Sequence, residues 1–303
     1  MKYDVILIRY GELSLKSSYV RKLFESTLIH NIKDALGQEN ITHRIAKERG
    51  RIFLTTEEIT KSLSVLGRIF GIVSCSPAQQ TTTDFDAISE HALGILQPLL
   101  IQQKSFALRV TRTGNHPFTS QEMAVHVGKY IVDATHAPVD LSHPDIELFI
   151  EIRQNTTFLF TEKHRGAGGL PLGTQGMILA LIEEPSSLLA AWYLMRRGCT
   201  LYIAATKQMS NELINSFLSQ WYAQAEIMNV DTHSKDYIEN LSQIISKNDC
   251  EAIVTGYTLQ DPTSVVSKMT QLKKQFDLPI LTPLIAFEEK EIKYLSQIRG
   301  IDR

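Results

Sequence analysis

The sequence predicts two architectures in one chain, α+β in its N-terminal half and doubly wound α/β in its C-terminal half. Three observations carry this. Strand and helix patterns follow the order β-α-β-β-α-β over roughly the first 80 residues. Apolar/polar alternation marks a hairpin in PDIELFIEIRQNTTFLF, with Gln154-Asn155 at its turn. From Met177 onward, near-continuous apolar runs alternate with helical ones, as buried parallel strands do.

Each element has a local reason. YDVILIRYGE reads as the first strand. The next segment places Leu23, Phe24, Leu28, Ile32 and Leu36 at helical spacing and ends at Gly37, a helix stop. A strand pair around Arg44 and Arg51–Leu54, a helix in EEITKSLSVLGRIFG and a strand in IVSCSPAQQ complete a ferredoxin-like pattern. A second unit opens near Thr83 with a helix over Asp84–Gln97, then the strand KSFALRVTRTG. A further helix follows, capped by Thr119 or Ser120 with Glu122 in its first turn. GAGGLPLG reads as a hinge or linker. Beyond it, MILALI, CTLYIAAT, EAIVTG and PILTPLI read as parallel strands.

Composition narrows the class. The 303 residues are 43% hydrophobic and 21% charged, with a net charge of −2, ordinary for a globular chain. No apolar run approaches the roughly 20 residues of a membrane helix. Three dispersed cysteines, Cys75, Cys199 and Cys250, exclude a disulfide framework and a CxxC metal or redox site. A cytoplasmic location without membrane contact is the expectation, and no metal site is expected.

Charge distribution is more telling than net charge. No acidic residue falls between His91 and Glu122, whereas Lys104, Arg109, Arg112 and His116 do. Arg109 and Arg112 end a strand just before a capped helix, whose N-terminus offers free N–H groups and partial positive charge. That arrangement suits a nucleic-acid phosphate. An ordinary capped helix with surface arginines gives the same pattern.

RYGELSLKS, VRKLFESTLIHNI, GRIFL and FGIVSCSPA resemble the N-terminal ferredoxin-like domain of the tRNA 4-thiouridine synthetases. FALRVTRTGNHPFTSQEMAVHVGKYI, VDLSHPDIELFIEIR and RGAGGLPLGTQG resemble their THUMP domain and the linker after it. IVTGYTLQDPTSVVSKM and LPILTPLIAFEEKEI are similar to the end of their PP-loop pyrophosphatase domain. The resemblance implies a ferredoxin-like domain over 1–80, a THUMP domain over 81–168, a linker over 169–176 and a PP-loop-like domain over 177–303. It implies tRNA as partner and a role in thiolation of uridine at position eight, for which the family uses ATP and magnesium. Matching positions imply RNA contacts at Arg109, Arg112, Lys163 and Arg165, and at Lys16, Arg21 and Lys22. Recognition of a stem and its end is expected by shape and backbone.

One segment departs from the family. Its nucleotide loop, S-G-G-x-D-S, falls here on Ile182, Glu183, Glu184, Pro185, Ser186 and Ser187, and only Ser187 matches. The glycines let backbone N–H groups approach pyrophosphate. At an effective dielectric near 20, each carboxylate about 4 Å from a phosphate charge would oppose it by about 4 kcal/mol. The family's carrier cysteine falls on Val230 or His233, neither a thiol, and its G-E-S-L-G-Q becomes Gly256–Asp261. The expectation is a tRNA-binding member without its own adenylation and with no catalytic residue in this loop. It would work with a catalytic or sulfur-donor partner and could form a homodimer. The alternatives are an active sulfurtransferase with an atypical nucleotide site, retaining ATP and magnesium, and a non-catalytic interaction protein.

Overall fold

A computed structural model describes residues 3–11, 17–48, 50–260 and 262–301. The first four strands are β1 (Val5–Tyr10), β2 (Arg44–Glu48), β3 (Arg51–Thr55) and β4 (Ile72–Thr82), with helices α1 (Ser18–Gln38) and α2 (Ile59–Leu66) in the expected order. Their sheet order β2-β3-β1-β4, with β1 and β2 both antiparallel to β3, is that of a ferredoxin-like domain. Phe24, Leu28, Ile32 and Leu36 are buried on α1 as expected, whereas Leu23 is exposed. One stripe of a helix can face the core at a time, and Leu23 lies off the stripe of Leu28, Ile32 and Leu36.

The same sheet runs on through β7 (Thr156–Phe160) and β6 (Ile146–Arg153) to β5 (Phe106–Thr113), while β8 (His164–Arg165) pairs with β4. Helices α3 (Phe85–Leu96) and α4 (Ser120–Thr135) cover one face. Asp84 caps α3, and Thr119 and Glu122 form a complete capping box on α4. Leu148, Ile150 and Ile152 of β6 meet these helices, so Glu147, Phe149, Glu151 and Arg153 point to the opposite face.

That opposite face closes on itself. Phe53 of β3 stacks on Phe158 of β7 with ring centroids 5.0 Å apart, although β1 and β4 lie between them in the sheet. Arg51 Nε of β3 is 2.8 Å from Glu151 Oε1 of β6. At about 4.8 Å per strand, a flat sheet would hold β3 and β6 about 19 Å apart. The sheet is therefore strongly coiled, with Val5, Leu7, Phe53, Ala78, Phe158 and Phe160 buried inside the curve.

At its charged end Glu151 accepts from three arginines on three strands. Besides Arg51, Arg153 Nη1 is 3.2 Å and Arg9 Nη2 3.4 Å away. Glu151 is only 5% exposed. Burial pushes its carboxyl pKa up, but Arg51, Arg9 and Arg153 together outweigh burial and hold it below its ordinary value.

Contacts divide the chain into two units, one of Met1–Arg9, Ile41–Ser64 and Ser74–Arg165, the other of Tyr10–Asn40, Val65–Val73 and Gly166–Arg303. The second contains a parallel sheet of β9 (Met177–Ile182), β10 (Thr200–Thr206), β11 (Ala225–Val230), β12 (Ala252–Thr255) and β13 (Ile280–Leu281) in the order β11-β10-β9-β12-β13. Ile178, Ala180 and Ile182 of β9 pack on α5 (Ser187–Arg196), and Leu179 and Leu181 on the opposite layer, which includes α7 (Tyr237–Lys247). This is the doubly wound class the sequence predicts. Strand β11 is absent from the sequence-based expectation. It is an edge strand in which only Val230 is buried, so it lacks the apolar run of its neighbours.

The glycine-rich stretch before β9 is fastened to α5. Leu170 N–H donates to Arg196 O at 3.0 Å and Arg196 Nε donates to Ala167 O at 3.0 Å. Gly169 has φ +75°, and a Cβ there would lie 2.0 Å from the Arg196 carbonyl oxygen, so only glycine fits. Among the described residues, no helix is long and apolar enough to cross a membrane.

Removing one partner of a buried ion cluster destabilises by about 3–5 kcal/mol, and Glu151→Ala is expected to do so in denaturant unfolding at pH 7. The folded-state pKa of Glu151 is depressed, so its contribution is full above the unfolded value of about 4.3 and fades as pH falls through the folded value. Unfolding measured between pH 5 and 3 checks this. The natural protein loses stability with acid, and Glu151→Gln loses less over the same interval.

Candidate functional site

The crevice of the parallel sheet lies at the carboxyl ends of its strands. Chain order runs outward from β9 through β10 to β11 on one side and through β12 to β13 on the other. The switch point between β9 and β12 is where ligands bind in open α/β sheets. A cavity of about 590 Å³ opens there, lined by Glu183, Glu184 and Ser187 of the turn after β9, Lys207 after β10, Asp231 and His233 after β11, and Tyr257 and Lys268 after β12.

Ile182 is buried at the end of β9, and Pro185 is exposed. The sequence places Pro185 in the first turn of α5, but the helix begins at Ser187 with Ser186 as its N-cap. Ser186 makes no side-chain cap. Ser187, Leu188 and Leu189 donate their N–H groups to the carbonyls of Glu184, Pro185 and Ser186 at 2.9–3.0 Å. The tight turn thereby consumes donors that a helix N-terminus otherwise leaves free. The Ser186 hydroxyl donates to Glu184 Oε1.

Glu183 is engaged on both oxygens. Tyr257 donates its hydroxyl to Oε1 at 2.9 Å and Lys268 Nζ reaches Oε2 at 2.8 Å. Lys268 comes from helix α8 (Pro262–Gln275). Burial, then Glu183, raises the Tyr257 hydroxyl well above its ordinary pKa, and the same two causes push Tyr237 up to about 12. Across the crevice, Lys207 Nζ pairs with Asp231 at 2.9 Å. Both lysines of the described lining are thus already paired with carboxylates.

Among the described residues, no cysteine lines this cavity. Burial raises the thiol pKa of Cys199 and Cys250, and that of Cys75 to about 12, which disfavours the thiolate. Val230 and His233 do line it. Among the described residues, no group of three or more His, Cys, Asp or Glu is placed to hold a metal ion.

The expected RNA-contact residues are distributed unevenly. Arg109 and Arg112 are three apart on β5, so they leave opposite faces. Arg112 stays beside the start of α4, donating to His116 O at 3.3 Å. Arg109 points to the other face and pairs with Glu147 at 2.7 Å. Lys163 joins Arg109 there, its Nζ 3.5 Å from the centre of the Phe149 ring. Burial and the Arg9 guanidinium lower its ammonium pKa. Arg165 is exposed on β8. Arg21 and Lys22 lie on α1 in the other unit, Lys22 exposed and Arg21 4.0 Å from Glu25. Lys16 falls outside the described residues.

Residues 5–76 match the ThiI ferredoxin-like domain and residues 82–162 the THUMP domain. The chain is 33% identical to a probable tRNA sulfurtransferase of Methanothermobacter thermautotrophicus, covering 99% of this chain and 85% of that one. The chain belongs to the tRNA sulfurtransferase family. A tRNA sulfurtransferase of Pyrobaculum aerophilum is 32% identical over 98% of this chain and 67% of its own length. The crystal structure of PH1313 from Pyrococcus horikoshii superposes with a TM-score of 0.83 at 30% identity, covering 98% of this chain and 99% of that one. A 4-thiouridine synthetase–RNA complex with bound ATP shares the fold, with a TM-score of 0.81 at 22% identity over 99% of this chain and 86% of that one. The alignment with the Methanothermobacter relative runs over 337 residues against 303 here, so that tRNA sulfurtransferase has segments without a counterpart in this chain.

Sequence reasoning missed the partners of Glu183 in this family member. The signal was faint. Lys268 is 85 residues away and sits on a helix whose lysines read as surface. It also missed the Glu151 cluster, although Arg9 and the alternation in ELFIEIR placed charge inside strands.

The crevice depends on close approach of Gly256 to α5. A Cβ at Gly256 would lie 2.7 Å from both Cα and Oγ of Ser187. Gly256→Ala is expected to destabilise by about 1–3 kcal/mol through overpacking. Gly37→Ala, where a Cβ meets nothing within 4 Å, is expected to be neutral or stabilising. Comparing the two melting curves checks the contact.

Proposed function

We propose that this member of the family binds tRNA through its ferredoxin-like and THUMP regions and does not adenylate it by itself. The observation that carries this reading is the state of the turn after β9. Glu183 stands at a family glycine position with Lys268 and Tyr257 bound to it, and the first N–H groups of α5 are already used. A nucleoside triphosphate needs free donors and cations there. The residues of the crevice do not fit one, and the six positions Ile182–Ser187 form a degenerate nucleotide loop.

The domain limits proposed are 1–80, 81–168, a linker at 169–176 and 177–303. tRNA as partner is supported by the THUMP match and by relatives named as tRNA sulfurtransferases. Lys163, Arg165 and Arg112 are the foremost contacts, with Arg109, Lys16, Arg21 and Lys22 contributing. A second protein would supply the adenylation and sulfur transfer.

The opposing reading is an active sulfurtransferase with an atypical nucleotide site, favoured by the size of the cavity at the switch point. Calorimetry with ATP and magnesium, with and without tRNA, separates them. No heat of binding is expected in either case. Micromolar binding, or 4-thiouridine formed by the protein alone, would establish the active enzyme instead.

tRNA affinity is expected to fall with rising salt, as phosphate contacts require. Arg165→Ala should weaken binding and reduce the salt slope by about one, leaving the melting temperature unchanged. A melting loss of the size seen for a core substitution would make Arg165 structural.

A further inference from the structure

We propose that Lys268 Nζ and the Tyr257 hydroxyl form an oxyanion seat at the switch point, and that Glu183 is its built-in occupant. Vacated, the seat would take a phosphate-type oxyanion such as inorganic pyrophosphate. This rests on the reading of the crevice as closed to ATP and gives its physical cause.

The donor set supports the assignment. One carboxylate oxygen receives an O–H at 2.9 Å and the other an ammonium at 2.8 Å, the kind of charge-assisted pair that also holds phosphate oxygens. The two donors come from separate segments after β12, and both reach the turn after β9. Lys268 is steadied over the Tyr257 ring, 5.2 Å from its centre. Its side chain is 47% exposed and Glu183 only 24%, so the seat opens to the cavity on the lysine side. The raised hydroxyl pKa of Tyr257 keeps it a donor at neutral pH. Glu184, one residue on, holds the Ser186 hydroxyl and has no contact with this pair among those described. Equal charges in neighbouring positions thus have different tasks.

The test is binding of inorganic pyrophosphate without magnesium, followed by calorimetry and phosphorus NMR. Glu183→Ala should bind at least about tenfold more tightly than the natural chain, and Glu183→Ala with Lys268→Ala should lose the gain. Glu184→Ala should not produce it. Glu183→Gln keeps the size and an acceptor for Tyr257 while releasing Lys268, and should show part of the gain. It carries the test if Glu183→Ala does not fold. A folded Glu183 variant that binds no more tightly than the natural chain overturns the proposal. So does an equal gain from Glu184→Ala, or a gain that survives loss of Lys268. ATP binding by the natural chain would instead overturn the functional reading, so the two failures are distinguishable.

Discussion

The N-terminal unit turns on one carboxylate. Glu151 sits where a coiled sheet brings β1, β3 and β6 together, and it binds an arginine from each. Without it, Arg9, Arg51 and Arg153 would face one another in a region where even surface-like dielectric leaves repulsion of several kcal/mol per contact. With it, the curve of the sheet closes and the Phe53–Phe158 stack has its place. Burying these charges is itself costly, so the cluster specifies geometry more than it adds net stability, since an apolar replacement of similar shape could be as stable.

The C-terminal unit uses the same chemistry in a different place. A carboxylate from the turn after β9 meets a lysine and a tyrosine from the segments after β12, at the point where an open α/β sheet ordinarily receives a ligand. In the first unit a buried anion holds strands together. In the second it takes up two donors of a crevice and ties the turn to α8. The tight start of α5 adds to this, because Ser187, Leu188 and Leu189 each spend their N–H on the carbonyl three residues back.

Much of this was legible in the sequence, and the rest fails for physical reasons. Local signals held well. Asp84 and the Thr119/Glu122 pair cap their helices, and the Gln154-Asn155 turn joins β6 to β7. Periodicity within a strand was available too, and would have separated Arg109 from Arg112 because they differ by an odd number of positions. Strand β11 escaped because an edge strand need not be apolar along its length. Contacts distant in sequence left the weakest trace. Glu183 reads as a repulsive charge in an anion loop until Lys268, 85 residues on, is placed beside it. Glu151 reads as a solvent-facing residue of an alternating strand until the sheet is seen to coil.

The fate of each basic side chain also sorts structural from available charge. Arg9, Arg51 and Arg153 answer to Glu151, and Arg109 answers to Glu147, so their charge is largely committed within the unit. Lys163 has its ammonium over an aromatic face, and Arg165 is exposed on a two-residue strand. A nucleic-acid backbone competes with existing partners for cations, and it gains most from those whose release costs least. Lys163 and Arg165, together with Arg112 at the capped end of α4, meet that condition better than the arginines inside the curve. The acid-free stretch of sequence therefore mixes committed and available charges, and only the direction of each strand residue tells them apart.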